Sequence, residues 1–203
     1  MNWRLLQLAD SAFPTGGFAH SGGLEAASQA GELDLARFAR ETIWQTAYGA
    51  LPLLKAAYEE PARLADFDAR AEAFLVNHVA NRASRTQGRA FLTTCSRTFA
   101  IAVQVAGLKL HLAPLFGVVS RKLELDLPDS QRVYLWTTVR GMLSAAVRLG
   151  LAGTLEAQAT LASLDETLNE ALSASPSSLA QTAPLIDLLQ ATHDRLYSRL
   201  FQS

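Results

Sequence analysis

"DLARFARETIWQTAYGALPLLKAAY", residues 34–58, places Leu35, Phe38, Ala39, Ile43, Ala47, Leu51 and Leu54 at three- and four-residue steps. That spacing lines up apolar side chains on one face of a helix. Asp34 stands where an N-cap belongs, because its carboxylate can accept a free N–H of the first turn. Pro52 falls inside the pattern, so the helix is expected to kink or to divide in two.

The same periodicity recurs on both sides. A second helix is expected from near Pro61, through Leu64, Phe67, Ala71, Phe74 and Leu75 to His78. A third is expected over residues 82–106, with Phe91, Leu92, Cys95, Phe99, Ala102 and Val103 as its apolar stripe. Asp129 is the expected cap of a long helix ending at Leu149, where Gly150 is a natural stop. "SLDE", Ser163 to Glu166, has the spacing of a capping box. The last helix is expected from Ala183–Pro184, carrying Leu185, Leu188, Leu189, Thr192, Leu196 and Leu200 along one side. "SASPSS", residues 173–178, reads as a short flexible connector. Strand alternation is nearly absent. The expected fold is all-α, a single compact bundle-like domain over residues 1–203 with about eight to ten helices and short loops.

Composition narrows the function classes. Hydrophobic residues make up 49% and charged residues 18% of the chain, against about 25% charged in a typical soluble protein. A chain this lean in charge is expected either to cover part of its surface with partners or to be a compact, alanine-rich helical body. The net charge of −1 calls for neither nucleic acid nor an anionic membrane. A single cysteine, Cys95, excludes an internal disulfide and fits a reducing compartment, and its apolar setting predicts a buried, inert thiol. The apolar run from Phe99 to Phe116 is interrupted by Gln104, Lys109, His111 and Pro114, so a buried helix is expected there rather than a membrane span. With no targeting segment legible at the start, a cytoplasmic location is expected.

The densest glycine cluster, "FPTGGFAHSGGLEAA" (13–27), invites a chemical reading. Gly17 and Gly22 have the separation of a phosphate loop, but Gly23 and Leu24 follow where Lys and Ser/Thr are required. Ala19-His20-Ser21-Gly22-Gly23 approximates a serine nucleophile motif with His193–Asp194 far downstream, which keeps a Ser21 hydrolase as an alternative; yet a nucleophile elbow needs a strand before it. The four histidines, His20, His78, His111 and His193, show no metal-ligand spacing. What remains is a tight turn that launches a helix, with Ser21 able to cap and Glu25 suiting the helix dipole. Arg82, Arg85 and Arg89 make a basic stripe on one helical face. It is either solvated, paired with the acids of residues 59–72, or a docking patch for an acidic partner.

Four separated motifs in order resemble the UreF family of urease accessory proteins. They are "LLQLADSAFPTGGFAHSGGLEAA" (5–27), "NHVANRASRTQGRAFL" (77–92), "VYLWTTVRGMLSAAVRLGLAGTLEAQ" (133–158) and "HDRLYSRLFQS" (193–203). The "TGGFAHS" form is similar to the plant branch, and His20 stands where many bacterial members have tyrosine. The resemblance implies an all-helical, non-catalytic chaperone for nickel insertion into apo-urease. Such a protein dimerises, binds UreH (also called UreD) and recruits the GTPase UreG. It implies no firmly bound cofactor, since nickel is handled by the complex and GTP by UreG. Carried onto this chain, the partner-binding positions are Pro14, Gly16, Phe18, His20, Ser21, Gly23 and Glu25 in the loop; Arg148 and Gln158; and His193, Tyr197, Arg199, Leu200, Phe201 and Ser203 in the tail. The ends, residues 1–10 and 195–203, are the segments a partner is expected to order. No resident metal is implied; His20 is a candidate for a transient nickel contact, and a stand-alone nickel-binding protein is a further alternative.

Overall fold

In the computed structural model, which describes residues 2–31, 33–174 and 176–203, Asp34 accepts the Arg37 backbone N–H at 2.9 Å and opens a helix as its position predicts. That helix is the third of eleven α-helices among the described residues. α1 spans Trp3–Ala9, α2 spans Leu24–Ala30 and α3 spans Leu35–Gly49. Pro52 divides the 34–58 pattern. It lies in the first turn of α4 (Leu51–Glu59), where a missing N–H leaves no intrahelical bond unmade. A 3₁₀ turn at Pro61–Arg63 leads into α5 (Leu64–Phe74).

The helix expected over 82–106 begins earlier and stops sooner. α6 runs His78–Phe99, capped by Asn77, whose side-chain oxygen accepts from the N–H groups of Val79 and Ala80. Ala100 turns left-handed at φ 54° and ends it. Residues 101–111 are non-helical, and Ile101, Val103 and Val105 alternate with exposed neighbours. That is the two-residue period of extended chain, favoured by β-branched side chains. The buried Asp68 carboxylate fixes this strap by accepting from the N–H groups of Lys109 (2.6 Å) and His111 (2.8 Å). The strap passes so close to α6 that a Cβ on Gly88 would lie 2.0 Å from the Leu110 carbonyl oxygen. Apart from Phe99, which closes α6, only the end of the apolar 99–116 run is therefore helical, as the start of α7 (Leu112–Lys122).

α8 (Leu127–Arg148) is capped at Asp126, one turn before the expected Asp129, which lies in the first turn and pairs with Arg132 instead. Pro128 in the first turn sets this earlier start. Gly150 takes up the left-handed stop, at φ 72°. α9 (Thr154–Ser163) and α10 (Asp165–Ala174) flank the expected capping box, but Ser163 closes α9 and its hydroxyl donates back to the Thr160 carbonyl. The connector beyond α10 is described except for Ser175. α11 is short, Pro184–Ala191. A 3₁₀ turn at His193–Arg195 follows, so Leu196 and Leu200 lie in an irregular tail and not on the helix.

One large core joins α3, α4, α7 and α8, and α7 is buried along nearly its whole length. α4 packs most closely on α7, and α6 and α5 cover α7 from other sides. No described residue belongs to a strand, and among the described residues no helix is long and apolar enough to cross a membrane. Cys95 is fully buried, and burial pushes its thiol up to about 12.

Candidate functional site

The N-terminal glycine loop and the C-terminal tail, far apart in sequence, meet over α2 and the end of α8. Gln202 donates its backbone N–H to the Ala19 carbonyl at 2.8 Å, and the Ser203 carbonyl accepts from both the N–H (2.6 Å) and the hydroxyl (2.9 Å) of Ser21. His20 Nδ1 lies 2.6 Å from the Ser203 hydroxyl. Gly23, at φ 91°, opens α2 from the left-handed region and lets α11 close in, so that a Cβ there would touch the Gln190 side chain at 3.0 Å.

Glu25 is the centre of the junction. It is 2% exposed, and its carboxylate accepts the backbone N–H groups of Leu200 (2.6 Å) and Phe201 (3.1 Å) and the Nε2–H of His193 (3.0 Å). An ionised carboxylate accepts only, so the histidine must present its proton from Nε2. A buried carboxylate is tolerable when its lone pairs are filled in this way. The helix dipole expected to hold Glu25 is thus the smaller part of its setting; the tail supplies the donors.

Arg148 reaches from the last turn of α8 and lies between two rings, 3.6 Å from the Phe18 centroid and 4.2 Å from the Phe201 centroid, while donating to the Phe18 carbonyl. Loop, helix and tail are joined by this one guanidinium. A second cluster fixes the start of the tail. Asp194 accepts from Arg82 through two nitrogens (3.0 and 2.7 Å), lies 3.2 Å from His78 Nε2 and accepts from Arg199 at 3.4 Å. The Arg82 hydrogen bonds hold its carboxyl below the usual range, with His78 adding to the effect.

Most of the residues singled out in the sequence come together here. Pro14 accepts from the Thr94 hydroxyl and so ties the loop to α6. Phe18, His20, Ser21, Gly23, Glu25, Arg148, His193, Phe201 and Ser203 form the junction itself, with Phe201 and Ser203 buried, while Gly16 lies against Ala90 of α6. Tyr197 and Leu200 point to solvent, and Phe18 is 73% exposed. Gln158 lies elsewhere, exposed on α9, whose main packing partners are α8 and α10. Of the basic stripe, Arg82 pairs with Asp194 and Arg85 lies 3.9 Å from Glu72, while Arg89 enters no ion pair among the described residues. Asp194 carried no signal beyond its place next to His193; two of its partners, His78 and Arg82, lie more than a hundred residues away.

The hydrogen bonds of this arrangement hold loop and tail together. The Ser21 hydroxyl is buried and donates to a carbonyl, and neither His20 nor His193 accepts from it. Burial, followed by the nearby charges of Arg82 and His193, lowers His20 to about 4, so its ring is neutral near pH 7. His20 Nε2 and His193 Nδ1 are shielded and have no hydrogen-bond partner among the described residues. No three His, Cys, Asp or Glu side chains among the described residues gather as metal ligands.

A model of the UreF family matches residues 30–165. The chain is 37% identical over 226 residues to urease accessory protein F of Arabidopsis thaliana, covering 100% of this chain and 93% of that one. It is 34% identical over 219 residues to urease accessory protein F of Oryza sativa subsp. japonica, covering 98% and 84%. To urease accessory protein UreF of Rhodopseudomonas palustris (strain BisA53) it is 29% identical over 225 residues, covering 99% and 92%. The family model stops short of the loop and the tail, whereas the Arabidopsis alignment takes in the whole chain.

Proposed function

The chain belongs to the UreF family of urease accessory proteins, and from that premise we propose that it is a non-catalytic adaptor in urease maturation. It works as a homodimer, binds UreH (UreD), recruits the GTPase UreG and assists nickel insertion into apo-urease. The observation that carries this reading is the loop–tail junction. A buried frame of Glu25, His193 and Ser21 holds the tail in place, and its outer side displays Phe18, Tyr197 and Leu200 to solvent. Exposed aromatic and leucine side chains on a clamped segment are what a protein interface uses as anchors, with flanking Arg195 and Arg199 as polar contacts. Nickel is cargo in this reading. His20, a ring held neutral, is the chain's candidate for a transient contact with it, made only where its shielded Nε2 is uncovered.

Co-purification with UreH tests the assignment. Deleting residues 195–203 should abolish capture while the helical circular dichroism signal persists. Because that deletion also strips partners from Glu25, a second variant, Tyr197→Ala with Leu200→Ala, leaves the buried frame intact and should weaken capture on its own. Undiminished UreH binding by both variants rules out the tail as the partner surface.

A further inference from the structure

Arg140 is a cation without an anion. None of the ion pairs among the described residues includes it, and its Nε is shielded from solvent with no hydrogen-bond partner. Buried polar nitrogens are almost always hydrogen-bonded, because leaving one unpaired forfeits its hydration. The Arg140 side chain is among those lining a cavity of about 200 Å³ between α8 and the loop of residues 10–18.

The cavity wall on α8 is one helical face: Arg140, Gly141, Ser144 and Arg148 stand at positions that superpose after successive turns. Gly141 leaves that wall open, since a Cβ built there meets no atom within 4 Å. Ser144 adds a hydroxyl and Gln87, from α6, an amide. Asp10 is the carboxylate on the lining, and its Oδ1 already accepts the Ala12 N–H at 2.8 Å. Arg148 is taken up by the two aromatic rings and the Phe18 carbonyl. The charge balance inside is therefore positive, with the Arg140 guanidinium as the uncommitted group.

We propose that this cavity is a binding site for a small oxyanion, a carboxylate or a phosphate, received by Arg140 with Ser144 and Gln87 as further donors. A guanidinium presents a planar fork of donors matched to such oxygens. The volume sets the size class: it lies below the roughly 300–1,000 Å³ of pockets for drug-sized ligands, and it holds an ion with a few waters at about 30 Å³ each. The cavity shares Phe18 and Arg148 with the junction but none of Glu25, His193 and Ser21, so anion binding is read without a protein partner and apart from the tail.

Nitrogen-15 NMR of the purified chain tests it, with sodium acetate, sodium phosphate and sodium chloride titrated at constant ionic strength. The expected result is a saturable shift of the Arg140 Nε–H resonance and of the Gly141 and Ser144 amides with acetate or with phosphate, and none with chloride. The two oxyanion arms distinguish a planar from a tetrahedral ligand. Arg140→Gln should weaken binding by about tenfold or more, the loss of one charged hydrogen-bonding group. Gly141→Leu should also abolish it, because the side chain fills the cavity while every charge stays in place, and leucine favours a helix over glycine. The site is refuted if neither oxyanion gives a saturable shift, if chloride matches them, or if Arg140→Gln binds as the parent does. A blank result leaves the UreH experiment unaffected.

Discussion

Glu25 concentrates more of the junction than any other residue, because three donors from the tail end on its two oxygens. Replacing it with alanine would leave the Phe201 N–H and the His193 imidazole N–H without an acceptor out of water, and the Leu200 N–H without one partly so. Each unmet buried donor costs about 1–3 kcal/mol, so Glu25→Ala should lower stability by about 3 kcal/mol or more in urea unfolding. A loss under about 1 kcal/mol would show that the carboxylate is not what holds the tail. His20 gives the junction a pH dependence of definite sign. Its folded-state value, about 4, lies below the 6.5 of the free side chain, so between those values the unfolded chain binds the extra proton. Stability from this residue is complete above about 6.5 and is lost as the pH falls toward 4. The melting temperature of the parent should therefore drop more steeply across that window than that of His20→Gln. Equal slopes would place the acid sensitivity of that window elsewhere; Glu72 and Asp194, both held below the usual carboxylate range by their hydrogen-bond partners, lose their contribution only at lower pH, as it falls through the carboxylate range.

Among the elements, α6 carries the clearest tests. Asn77 caps it and also donates to the Asp187 carbonyl and carboxylate on α11. Asn77→Ala should cost about 1–2 kcal/mol through the cap alone, read as a shift in the denaturation midpoint. Gly88→Ala should be far worse, since its methyl would sit 2.0 Å from the Leu110 carbonyl and 2.9 Å from the His111 carbonyl carbon. Both are backbone atoms of a strap pinned by Asp68 and cannot step aside. A soluble Gly88→Ala variant of parental stability would contradict this packing. The helices themselves were legible: Asp34, Pro52 and Gly150 mark boundaries by local chemistry, and apolar spacing marks the buried faces. The strap was not, because Ile101, Val103 and Val105 sit in an apolar run that period alone does not separate from a helix until Asp68 is known to capture its N–H groups. Glu25 and His193 were legible as marked positions within a resemblance. That they touch was not, because a contact 168 residues long leaves no local pattern. Arg140 had no signal at all: only its unfilled surroundings single it out.

The molecule as a whole can be followed through its one thiol. Cys95 is fully buried and pushed up to about 12, so thiolate is scarce at neutral pH and a disulfide reagent must wait for the core to open. Labelling should be slow under native conditions and rise in step with the loss of helical signal in denaturant; fast labelling of fully folded protein would mean that the core opens locally around α6. A different consequence of the junction appears during synthesis. Leu200 follows Glu25 by 175 residues, and at roughly 5–20 residues per second the ribosome needs about 10–35 s to make that stretch. For that interval α2 emerges with a hydrated carboxylate and no clamp. The junction closes only once residues 193–201 have emerged. A chain cut short before residue 193 would thus keep most of its core yet leave Glu25 unmatched, a flaw by which quality control can recognise the shortened product.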